Sequence, residues 1–215
     1  MFDAQLLDFS IAAFVTFFVL IDAIGVAPVF ASLTAPSGPA YARRMAIKSV
    51  FVATLIIVGF ALGGAWLFEH MGISIDAFRA AGGALLFLIA LDMVFEKRTE
   101  RREHRAEEIL ADQDALDDIS VFPVGIPMLA GPGAIATAML YMQKADGAWA
   151  YQAATLGVVI LNLLLCLIIF LLAGPILRFL GPSVAGAVTR ILGVILAALS
   201  VQLLIDGVKG AFGLA

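Results

Sequence analysis

Six runs of consecutive apolar residues constrain this chain more than any other feature, and they occupy residues 9–34, 46–68, 75–95, 120–142, 149–173 and 188–208. A run of ~20 apolar residues is long enough to cross the hydrocarbon core of a bilayer as a helix. The apolar residues come in unbroken stretches rather than at the spacing of an amphipathic helix. So small a chain could bury one such stretch, but not six. The charged fraction is 14%, against ~25% in soluble domains, and the mean hydropathy is +1.05. A membrane β-barrel would instead show short segments alternating with polar lumen-facing residues, and none are visible. The reading is an all-α integral membrane protein of six transmembrane helices. The first run carries Asp3 and Asp8 on its flank instead of a basic leader and is longer than a signal-peptide core, so it is expected to stay as a helix.

The cations set an orientation. Arg43, Arg44 and Lys48 lie between the first two runs, and Lys97, Arg98, Arg101, Arg102 and Arg105 between the third and fourth. Arg178 lies between the fifth and sixth, and only Lys144 and Lys209 fall on the other side. Lys and Arg mark the cytoplasmic face, so both termini are expected to face outward. The acidic stretch Glu107, Glu108, Asp112, Asp114, Asp117 and Asp118 reads as a solvated linker without metal-ligand spacing. The net charge of −4 gives no reason to expect a nucleic-acid partner. Cys166 is the single cysteine, expected as a small buried residue rather than part of a disulfide or metal site.

Two features recur in the halves. Arg79-Ala-Ala-Gly82 opens the third run and Arg190-Ile-Leu-Gly193 the sixth, while glycine and proline interrupt both the first and the fourth. Three helices per half is an odd number, so the second half would enter the membrane from the opposite side. The expected organisation is two inverted three-helix repeats, 1–95 and 120–215, joined by a charged cytoplasmic linker at 96–119. Interrupted helices at matching places in two halves point to a transporter's binding site.

Proline lacks an N–H and clashes with the carbonyl four residues earlier. Pro28 should therefore free the carbonyl of Ile24 and start a new half-helix, and Pro132 that of Met128. Gly25, Gly131 and Gly133 permit the unwinding. Freed polar groups in hydrocarbon need protein, water or ligand to satisfy them. Converging amide donors and carbonyl acceptors suit a small zwitterion, whose carboxylate would take the N-terminal amides. Asp22, beside the first break, is an ionisable residue at mid-helix and so a functional candidate. It is read as a proton carrier or an ammonium partner, or else as a cap or an arginine partner. Arg79 and Arg190 are candidates for a gate or a carboxylate contact, against snorkelling or, for Arg79, pairing with Asp76. Thr137, Asn162 and Gln202 are read first as interhelical hydrogen-bonding groups and second as substrate contacts, with Thr137 the one taken as a candidate site residue. Gly59 and Gly63 are expected to let the second helix pack closely.

Three segments carry a resemblance to a known family. They are Phe122-Pro-Val-Gly-Ile-Pro-Met-Leu-Ala-Gly-Pro-Gly-Ala-Ile-Ala-Thr137, Gly72-Ile-Ser-Ile-Asp-Ala-Phe-Arg-Ala-Ala-Gly-Gly83, and Arg190 to Gln202 followed by Asp206-Gly207. Over its full length the chain resembles the MarC family of bacterial inner-membrane proteins. The first helix keeps the family's Asp22, Gly25, Pro28 and Phe30. It has Ala23 and Val26 where proline and asparagine are typical, so Val26 brings no hydrogen-bonding side chain. The resemblance implies transport of a small neutral amino acid, with protons as a candidate coupling ion and no cofactor. The competing classes are a channel or ion permease and a non-transporting scaffold. An enzyme is not expected, since no nucleophile–base pair, metal-ligand set or phosphate-binding loop is visible.

Overall fold

The computed structural model describes residues 4–111, 118–145 and 147–214, leaving aside the side chains of 65, 69 and 177–183. Of the acidic linker, Asp112, Asp114 and Asp117 lie outside the described residues. The regular structure is helical throughout: α1 Ala4–Ile21, α2 Ala23–Thr34, α3 Gly38–Met71, α4 Ile75–Val94, α5 Lys97–Ala111, α6 Pro132–Lys144, α7 Trp149–Leu171 and α8 Ala173–Phe212. A 3-10 turn at Ala35–Ser37 separates α2 from α3, and the proline-rich segment Ser120–Leu129 precedes α6. Among the described residues, four stretches are long and apolar enough to cross a membrane, or five when Ser120–Leu129 and Pro132–Lys144 are taken together as one span bent by 58°. The chain is a multi-span membrane protein.

The first of these stretches, Ala4–Gly64, is 61 residues long, about 90 Å of helix at ~1.5 Å per residue, or three times the hydrocarbon thickness of ~30 Å. It does not run straight. Gly38, with φ of 80°, takes the backbone out of the 3-10 turn, and α3 packs chiefly against α7, α6 and the Ser120–Leu129 segment. This stretch is also the most buried of the four. Phe17, Ile21, Phe30 and Leu33 of α1 and α2 meet Met45 and Ile57 of α3 and Leu163, Cys166 and Phe170 of α7 in one core. Phe30 and Phe170 stack with ring centroids 4.2 Å apart. A second core joins Val19 and Leu20 of α1 to Leu86, Ala90 and Met93 of α4, Leu140 of α6, and Leu196 and Leu203 of α8.

The outer faces carry the apolar residues left over. Phe51, Leu55, Leu62 and Trp66 of α3, Ile160, Leu164 and Ile168 of α7, and Ile191 and Val194 of α8 are all exposed. A water-soluble monomer rarely shows so large a contiguous apolar surface, whereas lipid tails solvate it without cost.

Helices α4 and α8 make the most extensive helix–helix contact, and glycines allow it. A Cβ on Gly83 would lie 2.6 Å from the backbone nitrogen of Leu204, one on Gly193 would lie 2.8 Å from Met93 Cβ, and one on Gly207 would lie 2.8 Å from the Asp76 carbonyl oxygen. The expected close packing at Gly59 and Gly63 is not there, because a Cβ at either would meet nothing within 4 Å. Those two glycines face outward, and the neighbouring Gly64, seated on Met139, makes the close approach on α3.

The 96–119 segment differs most from its expectation as a solvated linker. Residues 97–111 form α5, which lies against α2 with Arg102, Ala106 and Ile109 buried. The described end of the acidic stretch is also tied down, since Asp118 pairs with Lys48 of α3 at 2.7 Å. That hydrogen bond, with another from Ser120, holds the Asp118 carboxyl down at about 2.

Candidate functional site

The first interruption lies at Asp22 rather than in the Gly25–Pro28 stretch. Asp22 adopts φ 50° and ψ 51°, the left-handed conformation that aspartate tolerates better than most residues. One such residue turns the chain and lets the helix resume at once, with Asp22 N–H bonded to Phe18 O at 3.1 Å and Val26 N–H to Asp22 O at 3.0 Å. The Asp22 carboxylate caps the new helix by accepting from Gly25 N–H at 3.2 Å. A Cβ on residue 25 would lie 2.7 Å from both Asp22 Oδ1 and Thr189 Oγ1, so glycine is what leaves room for this cap. Pro28 sits inside α2, and the helix continues through it. The turn is already made upstream, and there Pro28 only denies Ile24 its usual donor.

The turn at Asp22 exposes the end of α1, and α5 covers it. Arg98 Nη2 donates to the Leu20 carbonyl at 2.9 Å, filling the place of a helical N–H. Arg102 Nη1 donates to Asp22 Oδ2 at 2.9 Å, and Thr189 of α8 donates to Asp22 Oδ1 at 3.1 Å. The pair is deeply buried, with side-chain exposures of 7% for Arg102 and 0% for Asp22. Burial, reinforced by the charge of Arg102, draws Arg98 down to about 9, which leaves it cationic at neutral pH. Of the roles open to Asp22 from sequence, the cap and the arginine pair are both present.

The second interruption lies where the sequence places it. Within Ser120–Leu129 the turns are wide, with Val124 N–H bonded to Ile119 O at 3.3 Å and Ala130 N–H to Gly125 O at 2.9 Å. Phe122 and Ile126 are extended, as residues before proline tend to be, and both of their bonds to Pro123 and Pro127 are cis. The chain then turns at Gly131, where a Cβ would lie 2.8 Å from the Pro127 carbonyl. Pro132 is the first residue of α6, and Gly131, its N-cap, offers no side-chain hydrogen bond. Proline suits that position because the missing N–H is one that a helix start leaves unpaired anyway. The amides of Gly133 and Ala134 are at the uncapped helix start.

The second interruption opens on a cavity of about 460 Å³, which Leu20, two residues before the first, also lines. Gly131 to Ala134 form one wall, Leu20 of α1 and Ile89 and Asp92 of α4 another, and Arg98, Arg101, Arg102 and Arg105 of α5 a third. Arg101 pairs with Asp92, and Arg105 lies over the Phe122 ring, 5.2 Å from its centroid.

Of the residues singled out from sequence, Asp22 and Gly25 form the first turn, and Gly131, Pro132 and Gly133 line the cavity. Thr137, one turn further along α6, is fully buried with its hydroxyl unpartnered. It lines a separate cavity of about 70 Å³ with Thr16, Tyr141, Gln202 and Asp206. Arg79 and Arg190 join neither cavity: Arg79 pairs with Asp76 at 3.3 Å and Arg190 with Glu96. Asn162 does reach between helices, donating to the Phe14 carbonyl at 3.4 Å.

The residues that sequence reasoning passed over are Arg98, Arg102 and Thr189. A signal for the first two existed. Arg98, Arg102, Ala106 and Ile109 fall at spacings of four, four and three, one face of a helix, with Glu100, Glu103 and Glu107 on another.

A family profile described as MarC family integral membrane protein matches residues 7–212. A UPF0056 membrane protein of Methanocaldococcus jannaschii is 37% identical over 97% of this chain and 90% of its own length. The UPF0056 membrane protein YhcE of Escherichia coli is 30% identical over 93% of this chain and 91% of its own. No solved structure matches. With more than nine-tenths of its length aligned to archaeal and bacterial relatives and its multi-span helical fold, the chain belongs to the MarC family of integral membrane proteins.

Proposed function

We propose that this protein is a secondary transporter of small neutral amino acids such as glycine or alanine, with its substrate site in the cavity between the turn at Asp22 and the start of α6. The observation that carries this reading is the broken span. The N-terminus of α6 opens, uncapped, on a cavity of about 460 Å³, within the ~300–1,000 Å³ range of small-molecule sites. Helix starts of this kind, buried between repeats, receive anionic substrate groups in transporters. The smaller cavity lies one turn further along α6. Leu20 of the larger cavity and Leu140 and Leu203 of the smaller belong to one packed cluster, so a modest parting of that cluster would connect the two.

The proposed architecture is six crossings in two inverted repeats, with Ala4–Gly64 supplying two. The α4–α8 seam supports it. Superposing Arg79 on Arg190 carries Ala90 and Met93, the neighbours of Gly193, onto Val201 and Leu204. Gly83 meets Ser200 and Leu204. The two contacts thus exchange to within a residue, as a two-fold relation requires. Both termini are proposed to face outward from a bacterial inner membrane, on the distribution of cations.

The proton is the proposed coupling ion and Asp22 its carrier, since protonating this carboxylate would loosen its hold on Arg102. Proteoliposomes test the whole reading. Labelled glycine or alanine should accumulate saturably and follow an imposed pH gradient. Conductance without saturation by amino acids would indicate a channel, and no flux of any solute a scaffold. In Asp22→Asn the pH dependence of uptake should disappear. Its persistence would remove Asp22 as the carrier.

A further inference from the structure

Of the four arginines around the larger cavity, three are engaged elsewhere. Arg98 donates to the Leu20 carbonyl and to Met93 Sδ, Arg101 pairs with Asp92, and Arg105 lies over Phe122. Arg102 differs. It is 6% exposed, and Nη1 is bound to Asp22, yet Nη2 is buried without a hydrogen-bond partner. Among the described residues lining this cavity, no other side chain has a buried polar atom left unpaired. Buried polar groups are rarely left so, and each exception calls for an explanation.

The opposite wall has the same need. The amides of Gly133 and Ala134 have no side-chain cap, and the start of a helix carries partial positive charge. The charges beside the cavity do not cancel either. Arg102 is matched by Asp22 and Arg101 by Asp92, and Arg105 and Glu108 offset each other on the lining, but both hydrogen-bond partners of Arg98 are neutral, leaving one surplus positive charge. The complement is a single negative charge with two oxygens. Such a group accepts from a guanidinium and from helix-terminal amides together, and both kinds of bond are strengthened by charge.

We propose that the cavity is a carboxylate site, in which Arg102 Nη2 and the amides of Gly133 and Ala134 bind the carboxylate of the transported solute. Asp22 then acts as a positioning residue that holds the guanidinium by its other nitrogen. The identity of the solute rests on the transporter reading. The site itself does not, and it shifts recognition onto α5, the segment that reads as a linker.

Equilibrium binding to the full chain in nanodiscs tests this, with labelled glycine as probe and acetate, methylammonium and inorganic phosphate as competitors. Acetate should displace glycine and methylammonium should not. Arg102→Gln alone leaves Asp22 buried without its partner, so the decisive variant is Asp22→Asn with Arg102→Gln, which removes both charges and keeps both shapes. Its affinity for glycine should fall by about tenfold or more, the scale of one lost charge-assisted hydrogen bond. Asp22→Asn alone, which keeps the guanidinium but loosens its hold, should lose less affinity for glycine than the double variant, and Lys48→Gln, at the distant Asp118 pair, should match the native chain. Native affinity in the double variant overturns the proposal, as does displacement by methylammonium but not by acetate. If the native chain neither binds nor transports glycine or alanine, the transporter reading fails. The anion site then stands only if acetate or phosphate binds saturably and the double variant loses that binding.

Discussion

At the scale of single residues, Asp22 and Arg102 show how much depends on a pair. Each is buried and ion-paired with the other, and a buried ion left alone is far costlier than the pair is beneficial. Arg102→Ala should therefore destabilise the protein by about 3–5 kcal/mol, measured as a fall in the unfolding midpoint in detergent. Combining Asp22→Asn with Arg102→Gln should recover a large part of that loss, because no uncompensated charge remains. Equal destabilisation in the single and double variants would mean that lost packing, rather than the orphaned charge, sets the cost. Gly83 gives a second contrast. Gly83→Ala must push against the backbone of α8 and should cost about 1–3 kcal/mol. Gly59→Ala enters open space and should be neutral or slightly stabilising, since alanine is favoured over glycine in a helix by about 1 kcal/mol. The same unfolding measurement ranks the two.

At the scale of elements, α5 is held by few apolar groups, so one charge on its inner face should release it. In Ile109→Asp the helix should undock from α2 and its arginines become accessible, read as faster tryptic cleavage within residues 97–111. The tether at Asp118 responds to pH. Its carboxyl is held at about 2 against an ordinary value of 3.8, so its stabilising effect is complete above the ordinary value and lost as pH falls through the lowered one. Lys48 and Asp118 are both about 40% exposed, which limits the effect to about 1 kcal/mol or less. Asp118→Asn should thus be slightly less stable than the native chain at neutral pH, with the gap closing between pH 4 and pH 2. The helices of the bilayer were legible because hydropathy marks their length, and α6 because Pro132 and Gly131 specify its start. The turn at Asp22 was displaced onto Pro28 because a proline signals a break more strongly than one left-handed aspartate. The docking of α5 was hidden by its charge. Once Arg98 and Arg102 have a buried carbonyl and a carboxylate to serve, a helix with few apolar residues can still be held inside the protein.

At the scale of the whole molecule, the proposed orientation can be read directly. Lys209→Cys should react with an impermeant maleimide in intact cells and Arg44→Cys only after permeabilisation, since both positions are exposed and the cation distribution puts them on opposite faces. The reverse pattern would invert the protein in the membrane. Such measurements gain from the surroundings of Cys166, which is the chain's sole cysteine and is fully shielded within the α7 core. The native protein thus offers a chemically silent background. Paired fluorophores or spin labels on α5 and α6 could follow the opening and closing of the larger cavity without first rebuilding the interior around a substituted thiol.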